Sequence, residues 1–373
     1  MMKATSGQQR DFWPAMGFLL PNLLGFLVFT AGPVLFSLAI AFTNWDLQRT
    51  MPFRWIGLRN FTELFADQQF WLYALNTVYL MLGMPVAIAG SLLLAILLSQ
   101  NLRGIVVYRT LFYLPTFTSG VALMILWKAL YNPDFGPINA IINAISGWLH
   151  RKLGVGVVEA PVWLLSTKNL FGLAMLLAFA VGLFGAYKVL RLAMGRWALL
   201  VVAAAAALLL WHWRCTAGLD VERVGLSREQ WGLGARDAII IMGIWIAIGG
   251  SNMLLYLAAL SNVPQELYEA AQIDGAGRWA TFCNVTWPQL APTTFFIVVM
   301  SFIGGLQGGF EQARVMTYGG PAGTTTTLVY YIYTKAFEEF QIGYASAVSW
   351  VLFVIIFAVT LLNWKFGAKE LSY

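Results

Sequence analysis

The chain alternates between long apolar runs and shorter polar connectors, and the runs set its organisation. They extend from about Gly17 to Phe42, Trp71 to Leu98, Ile105 to Leu130, Ala238 to Leu260, Pro292 to Leu306 and Ala345 to Trp364. A helix needs about 20 apolar residues to cross hydrocarbon, and each run is read as a span. The first follows a short polar start with Lys3 and Arg10. It is too long for a signal-peptide core and is read as retained. Two further runs, Asn169–Tyr187 and Trp197–Trp213, flank a connector with Lys188, Arg191 and Arg196 and no acid. Parity ties these two together: if only one crossed, the polar stretch at 261–289 would lie across the membrane from the amino terminus. The basic connector favours both crossing, with the connector cytoplasmic; the alternative is an interfacial hairpin. The predicted fold is an all-α polytopic membrane protein of about eight transmembrane helices.

Composition supports this class. Apolar residues make up 59% of the chain and charged ones 11%, which does not describe a soluble domain. The sixteen Trp and fourteen Tyr cluster at run ends, where aromatic side chains anchor helices at a bilayer surface. The net charge of +6 is spread out, so no basic face is available for nucleic acid. Cys215 and Cys283 have neither metal-ligand spacing nor a disulfide framework. His150 and His212 stand far apart with no acid or nucleophile around them. An intramembrane enzyme would need such a cluster, so enzyme and metal site are both read as absent.

A transporter needs a source of energy. The chain contains no G-x-x-x-x-G-K-[ST] loop and so does not itself hydrolyse ATP. The middles of the apolar runs carry no Asp, Glu, Lys, Arg or His, the groups that proton-driven transporters place at membrane depth. A channel, a sodium-coupled transporter, or a permease powered by another subunit remains, the last two being the alternatives that need a driving force.

Ser261–Ala291 is a helix-forming polar island between two spans. Pro264 suits a first helical turn, Glu266 and Glu269 suit its positive end, and Gly275 and Gly277 supply a stop. On these residues alone the island is either a solvated loop helix or a helix gripped in a groove. Glu269-Ala270-Ala271, then Gly275, then Val285-Thr286-Trp287-Pro288 resembles the EAA loop of ATP-binding-cassette importer permeases, E-A-A-x3-G-x9-I-x-L-P. Val285 and Trp287 depart from it, apolar for apolar. Pro21–Gly25, Gly32-Pro33, Phe42–Asp46, Val315–Pro321 and Leu328–Tyr333 resemble the sugar branch of that family, the maltose, lactose and glycerol-phosphate types.

The resemblance implies a six-span permease core with a two-span insert. It divides the chain into a cytoplasmic start (1–16), spans 1–3 (17–168), the insert with an outer loop (169–236), and spans 4–6 (237–373) with a cytoplasmic coupling loop at 261–289. Glu269, Ala270, Ala271, Gly275 and Pro288 then form the ATPase-coupling element, with Asp274 as a further candidate. Trp279, Phe282 and Trp287 are expected to pack against the spans. ATP and Mg belong to partner ATPase subunits, so no cofactor is expected here. The implied partners are a second homologous permease, two ATPase subunits, an extracytoplasmic solute-binding protein, membrane lipid and a sugar substrate. The implied location is a bacterial or archaeal cytoplasmic (inner) membrane, with both termini cytoplasmic.

Polar residues inside the spans are few, and each must be paired or face water. Gly250, Ser251 and Asn252 precede the coupling loop; Ser301, Gly305 and Gln307 follow it. These six are the candidate substrate pathway, although glycines stand where more hydrogen-bonding groups are expected, which leaves two readings: substrate is held by this subunit, or by its membrane partner. Tyr330, Tyr331 and Glu311 are candidates to meet a binding protein, and Thr324–Thr327 is read as an ordered loop or short strand.

Overall fold

The computed structural model describes residues 6–48, 52–100, 103–154, 160–166 and 234–367. The expected insert, including its hairpin over Phe171–Trp213, lies outside these. The described residues are almost entirely helical. Five stretches are long and apolar enough to cross a membrane: Met16–Ala41, Gln68–Leu98, Ala235–Ser261, Arg278–Gln307 and Ile342–Asn363. A sixth consists of Ile105–Phe117 and Gly120–Leu130, bent by 100°. The expected straight span over Ile105–Leu130 is therefore broken. Pro115 and the extended Ser119 interrupt it, because proline removes a backbone donor and biases the residue before it away from helix.

The chain divides into two compact units. One comprises Met1–Asp67 with Ile332–Val354. Within it, α1 (Ser6–Phe26) continues through a π-turn into α2 (Gly32–Ala41). Much of this surface is bare: Phe18 is 88% and Phe29 81% exposed, as suits a helix immersed in lipid. The loop after α2 folds onto itself, with Phe42 stacked on Trp55. On α3 (Arg59–Ala66), buried Asn60 donates to the carbonyls of Ala41 and Thr43, both at 2.8 Å, satisfying the end of α2. At the start of α15 (Ile342–Gly367), Gly343 donates to the Trp45 carbonyl. A Cβ there would lie 2.3 Å from the Thr43 carbonyl, so only glycine allows this approach.

The second unit comprises Gln68–Tyr331 with Ile355–Tyr373. It contains α4 (Gln68–Leu80), α5 (Met84–Leu98), α6 (Ile105–Tyr113), α7 (Gly120–Leu130) and α8 (Pro137–Leu153). It continues with α9 (Ala235–Ile248), α10 (Ser251–Ser261), α11 (Gln265–Ile273), α12 (Arg278–Thr281), α13 (Trp287–Gln307) and α14, whose range is Leu328–Tyr333. Two apolar clusters hold this unit. Leu123, Met124, Trp127, Tyr131, Trp163, Ala238, Ile239, Met242 and Met316 form one. Leu92, Ala95, Leu98, Met253, Tyr256, Leu290 and Ile297 form the other. The break between α9 and α10 falls at Gly249–Gly250. A Cβ on Gly249 would sit 2.2 Å from the Phe112 carbonyl, so this glycine lets two helices touch backbone to backbone.

Buried polar groups gather at the beginning of α9. Arg236 and Asp237, placed by sequence at the edge of an outer loop, are 1% and 0% exposed. Arg236 Nε donates to the Thr324 carbonyl at 2.8 Å, and its guanidinium lies 5.3 Å from the Tyr79 ring centre. Asn76 on α4 donates to the carbonyls of Gly323 (2.8 Å) and Thr326 (3.1 Å). The Leu328 amide donates to Thr77 Oγ1. Thr324–Thr327 is thus a loop, with all four residues buried. Tyr330 and Tyr331 are buried as well, so neither presents a surface to a partner in this conformation; Glu311 is exposed.

Candidate functional site

Two places carry the predicted residues. The first is the polar island after α10. Pro264 is extended (ψ 132°) and precedes the helix rather than opening its first turn. Helix α11 then runs for nine residues and stops in a Schellman arrangement: Gly275 is left-handed (φ +71°) and donates to the Gln272 carbonyl, while Ala276 donates to the Ala271 carbonyl at 2.9 Å. Glycine fills this position because a Cβ would strain it. Ala271 is buried at 9% exposure. Tyr268 Oη lies 3.2 Å from Thr286 Oγ1, tying α11 to the segment that leads into α13. Glu269, Ala270, Asp274, Gly275 and Pro288 are exposed.

The surfaces of α11 and α12 also bear large apolar residues whose exposure the sequence did not predict. Ile273 is 87% exposed, and Trp279 is 76% exposed. Trp279 therefore does not pack on the spans as expected; it stacks on Phe282, with ring centres 5.7 Å apart. Phe282 does pack, against the cluster containing Leu290 and Tyr256. Large apolar groups held in the open beside exposed acids form a surface suited to burial against another protein. The only sequence signal for Ile273 was an isolated apolar residue between Gln272 and Asp274.

The second place is a cavity of about 340 Å³ between α4–α5, α9–α10 and α13. Among the predicted pathway residues, Asn252, Ser301 and Gly305 line it; Gly250, Ser251 and Gln307 do not. Thr77, Gln312 and Thr327 supply the remaining polar side chains. Gln312 was missed because it follows the glycine break that ends α13, where no periodic pattern marks a lining position. No Asp, Glu, Lys, Arg or His is among the lining residues. The walls are rich in glycine, and at Gly243 and Gly304 an added Cβ would meet nothing within 4 Å. Gly305 differs, since its Cβ would press on Met81 at 2.8 Å. An uncharged cavity with dispersed amide and hydroxyl groups between apolar walls can accept a neutral hydroxylated solute. It offers no compensation for a net charge.

At the beginning of α9, Tyr131 donates to the Ala238 carbonyl at 2.9 Å. Burial pushes its hydroxyl well above the ordinary tyrosine range, so it remains a donor at physiological pH.

Residues 72–364 match the family model described as the binding-protein-dependent transport system inner membrane component. The chain belongs to that family. Among curated relatives, the probable ABC transporter permease protein YesP of Bacillus subtilis is 31% identical, over 100% of this chain and 96% of the relative. The lactose transport system permease protein LacF of Rhizobium radiobacter is 28% identical, over 95% and 93% of the two chains. Among solved structures, a chain of a bacterial alginate ABC transporter, in complex with its alginate pentasaccharide-bound periplasmic protein, matches with a TM-score of 0.67. Identity there is 20%, and the match covers 99% of each chain. The protein is a multi-pass transport permease subunit, not an enzyme.

Proposed function

We propose that this permease forms half of a translocation pathway for a sugar or oligosaccharide, driven by ATP hydrolysis on separate subunits. Permeases named for lactose and for sn-glycerol 3-phosphate are among its relatives. The uncharged, hydroxyl- and amide-bearing cavity supports the sugar reading. The observation that carries the coupling role is α11 itself. It is a short helix with a firm stop, fixed to its own chain on the Ala271–Tyr268 side, that leaves Glu269, Ala270, Ile273 and Asp274 open.

In this reading α11 docks in a cleft of an ATPase subunit. Glu269 is the anchoring charge, Ala270 allows close approach, and Ala271 with Gly275 fixes the helix from behind. Closure of two ATPase subunits carries the docked helices together and switches the cavity from outward- to inward-facing, a biased two-state equilibrium. A second homologous permease supplies the other half of the pathway, and an extracytoplasmic binding protein delivers solute. ATP and Mg reside on the ATPases, and both termini of this chain lie in the cytoplasm.

The test is Glu269→Lys in the reconstituted importer. Uptake and solute-stimulated ATP hydrolysis should both collapse while the permease still folds. Uptake that continues with the ATPase inactivated would instead identify a channel or secondary transporter.

A further inference from the structure

Helix α8 has a feature that neither coupling nor transport uses. It begins only seven residues after α7 ends, across a tight turn in which Asn132 Oδ1 accepts from the amides of Asp134 and Phe135. Gly136 closes that turn, and a Cβ there would lie 2.3 Å from the Asn132 carbonyl. The turn therefore holds α8 at the end of a membrane span. One side of α8 packs inward: Ile138 and Ile142 lie against the cluster of Leu123, Met124 and Met242, which α7 and α9 share. Because α9 begins a membrane-crossing helix and α7 is half of a bent one, the packed side fixes α8 at the rim of the bilayer.

With about 100° per residue, a second stripe is centred about 70° round the helix from the packed side. It contains Ile141, Ile145 and Trp148, exposed by 60%, 53% and 53%, and ends at Lys152 on the same face. The remaining arc is polar, with Asn143 accepting from the Ala160 amide. Lys152 and its neighbour Arg151 are both exposed. An open apolar stripe bounded by Trp and ending in cations is the pattern of a helix lying in the headgroup layer.

The geometry points to α8 as an interfacial lipid-binding helix. Its Ile141–Ile145–Trp148 stripe sits among acyl chains, and Arg151 with Lys152 binds the headgroups of anionic phospholipid. Positive charge at the end of the helix also suits its dipole. Two cations over a single headgroup layer favour an anionic lipid over a zwitterionic one.

The test uses the full-length permease in its native membrane, with a photo-reactive benzophenone amino acid introduced at Trp148 and, separately, at Ile145. Illumination should give adducts of phospholipid mass. Adducts to polypeptide alone would show that the stripe is a protein interface, and no adduct would show that it faces water; either result overturns the proposal. A second arm purifies the Arg151→Gln/Lys152→Gln variant and measures co-purified phosphatidylglycerol and phosphatidylethanolamine. Phosphatidylglycerol should fall by about fivefold for each charge removed, with phosphatidylethanolamine unchanged. Equal retention of phosphatidylglycerol by the variant and the parent would sink the headgroup assignment.

Discussion

The two ends of the α9–α10 span handle polar groups in opposite ways. At the beginning of α9, Arg236, Asn76 and the threonines of 324–327 are buried and bonded to one another's chain. Beyond the end of α10, α11 leaves its acids and its largest apolar side chains in the open. The first region draws its bonds from within this polypeptide, with Asn76 Oδ1 buried beside them and unbonded. The second satisfies its own backbone and fixes its position but leaves its surface open, as the proposed docking requires. The comparison separates residues that hold the permease together from residues left open for the docking proposed above.

The largest effect is expected from breaking the closed end. Arg236→Met removes a buried charge-assisted hydrogen bond to the Thr324 carbonyl, and such losses cost about 1.5–3 kcal/mol. Thermal unfolding in detergent should show the loss, with little folded protein recovered. Glu269→Lys sharpens the contrast from the other end. Uptake in proteoliposomes should drop by about 30-fold, the scale of an interface hot spot, while the unfolding midpoint stays that of the parent. Equal loss of stability in the two variants would erase the distinction.

Between the two ends, the cavity predicts an asymmetry between adjacent glycines. Gly304→Leu places its side chain in open space and should slow uptake without destabilising the fold. Gly305→Leu drives into Met81 and Met84 and should cost about 1–3 kcal/mol by overpacking, read as a lower unfolding midpoint. The smallest effect is expected at Thr325, whose hydroxyl meets Thr317 Oγ1 at 2.6 Å and the Gly320 carbonyl at 2.8 Å. Thr325→Val should cost about 1–2 kcal/mol and leave uptake per folded molecule unchanged.

The spans were legible because twenty apolar residues in a row have few other uses. The expected first span, Gly17–Phe42, and the helix at Met16–Ala41 differ by one residue at each end. The bend at Pro115 was not read, since an apolar run looks the same whether straight or folded. The island was legible through its acids and glycines, but the exposure of Trp279 was not, because an aromatic residue beside a span ordinarily packs on it. Arg236 and Asp237 were hidden for the converse reason. In the sequence they resemble a solvated loop end, and the carbonyl that binds Arg236 lies 88 positions away. Long-range partners of this kind leave no local trace. Asn252 and Ser301 were found by scarcity, as polar residues in spans with little polarity; Gln312 escaped because it lies beyond the helix.

Asn76 is joined to acceptors 247 and 250 positions further along the chain. At bacterial translation speeds of about 5–20 residues per second, its second span waits roughly 12–50 s in the bilayer before those acceptors are synthesised. During that interval the Asn76 amide lacks the carbonyls of Gly323 and Thr326, so the beginning of this core closes only when the chain is nearly finished.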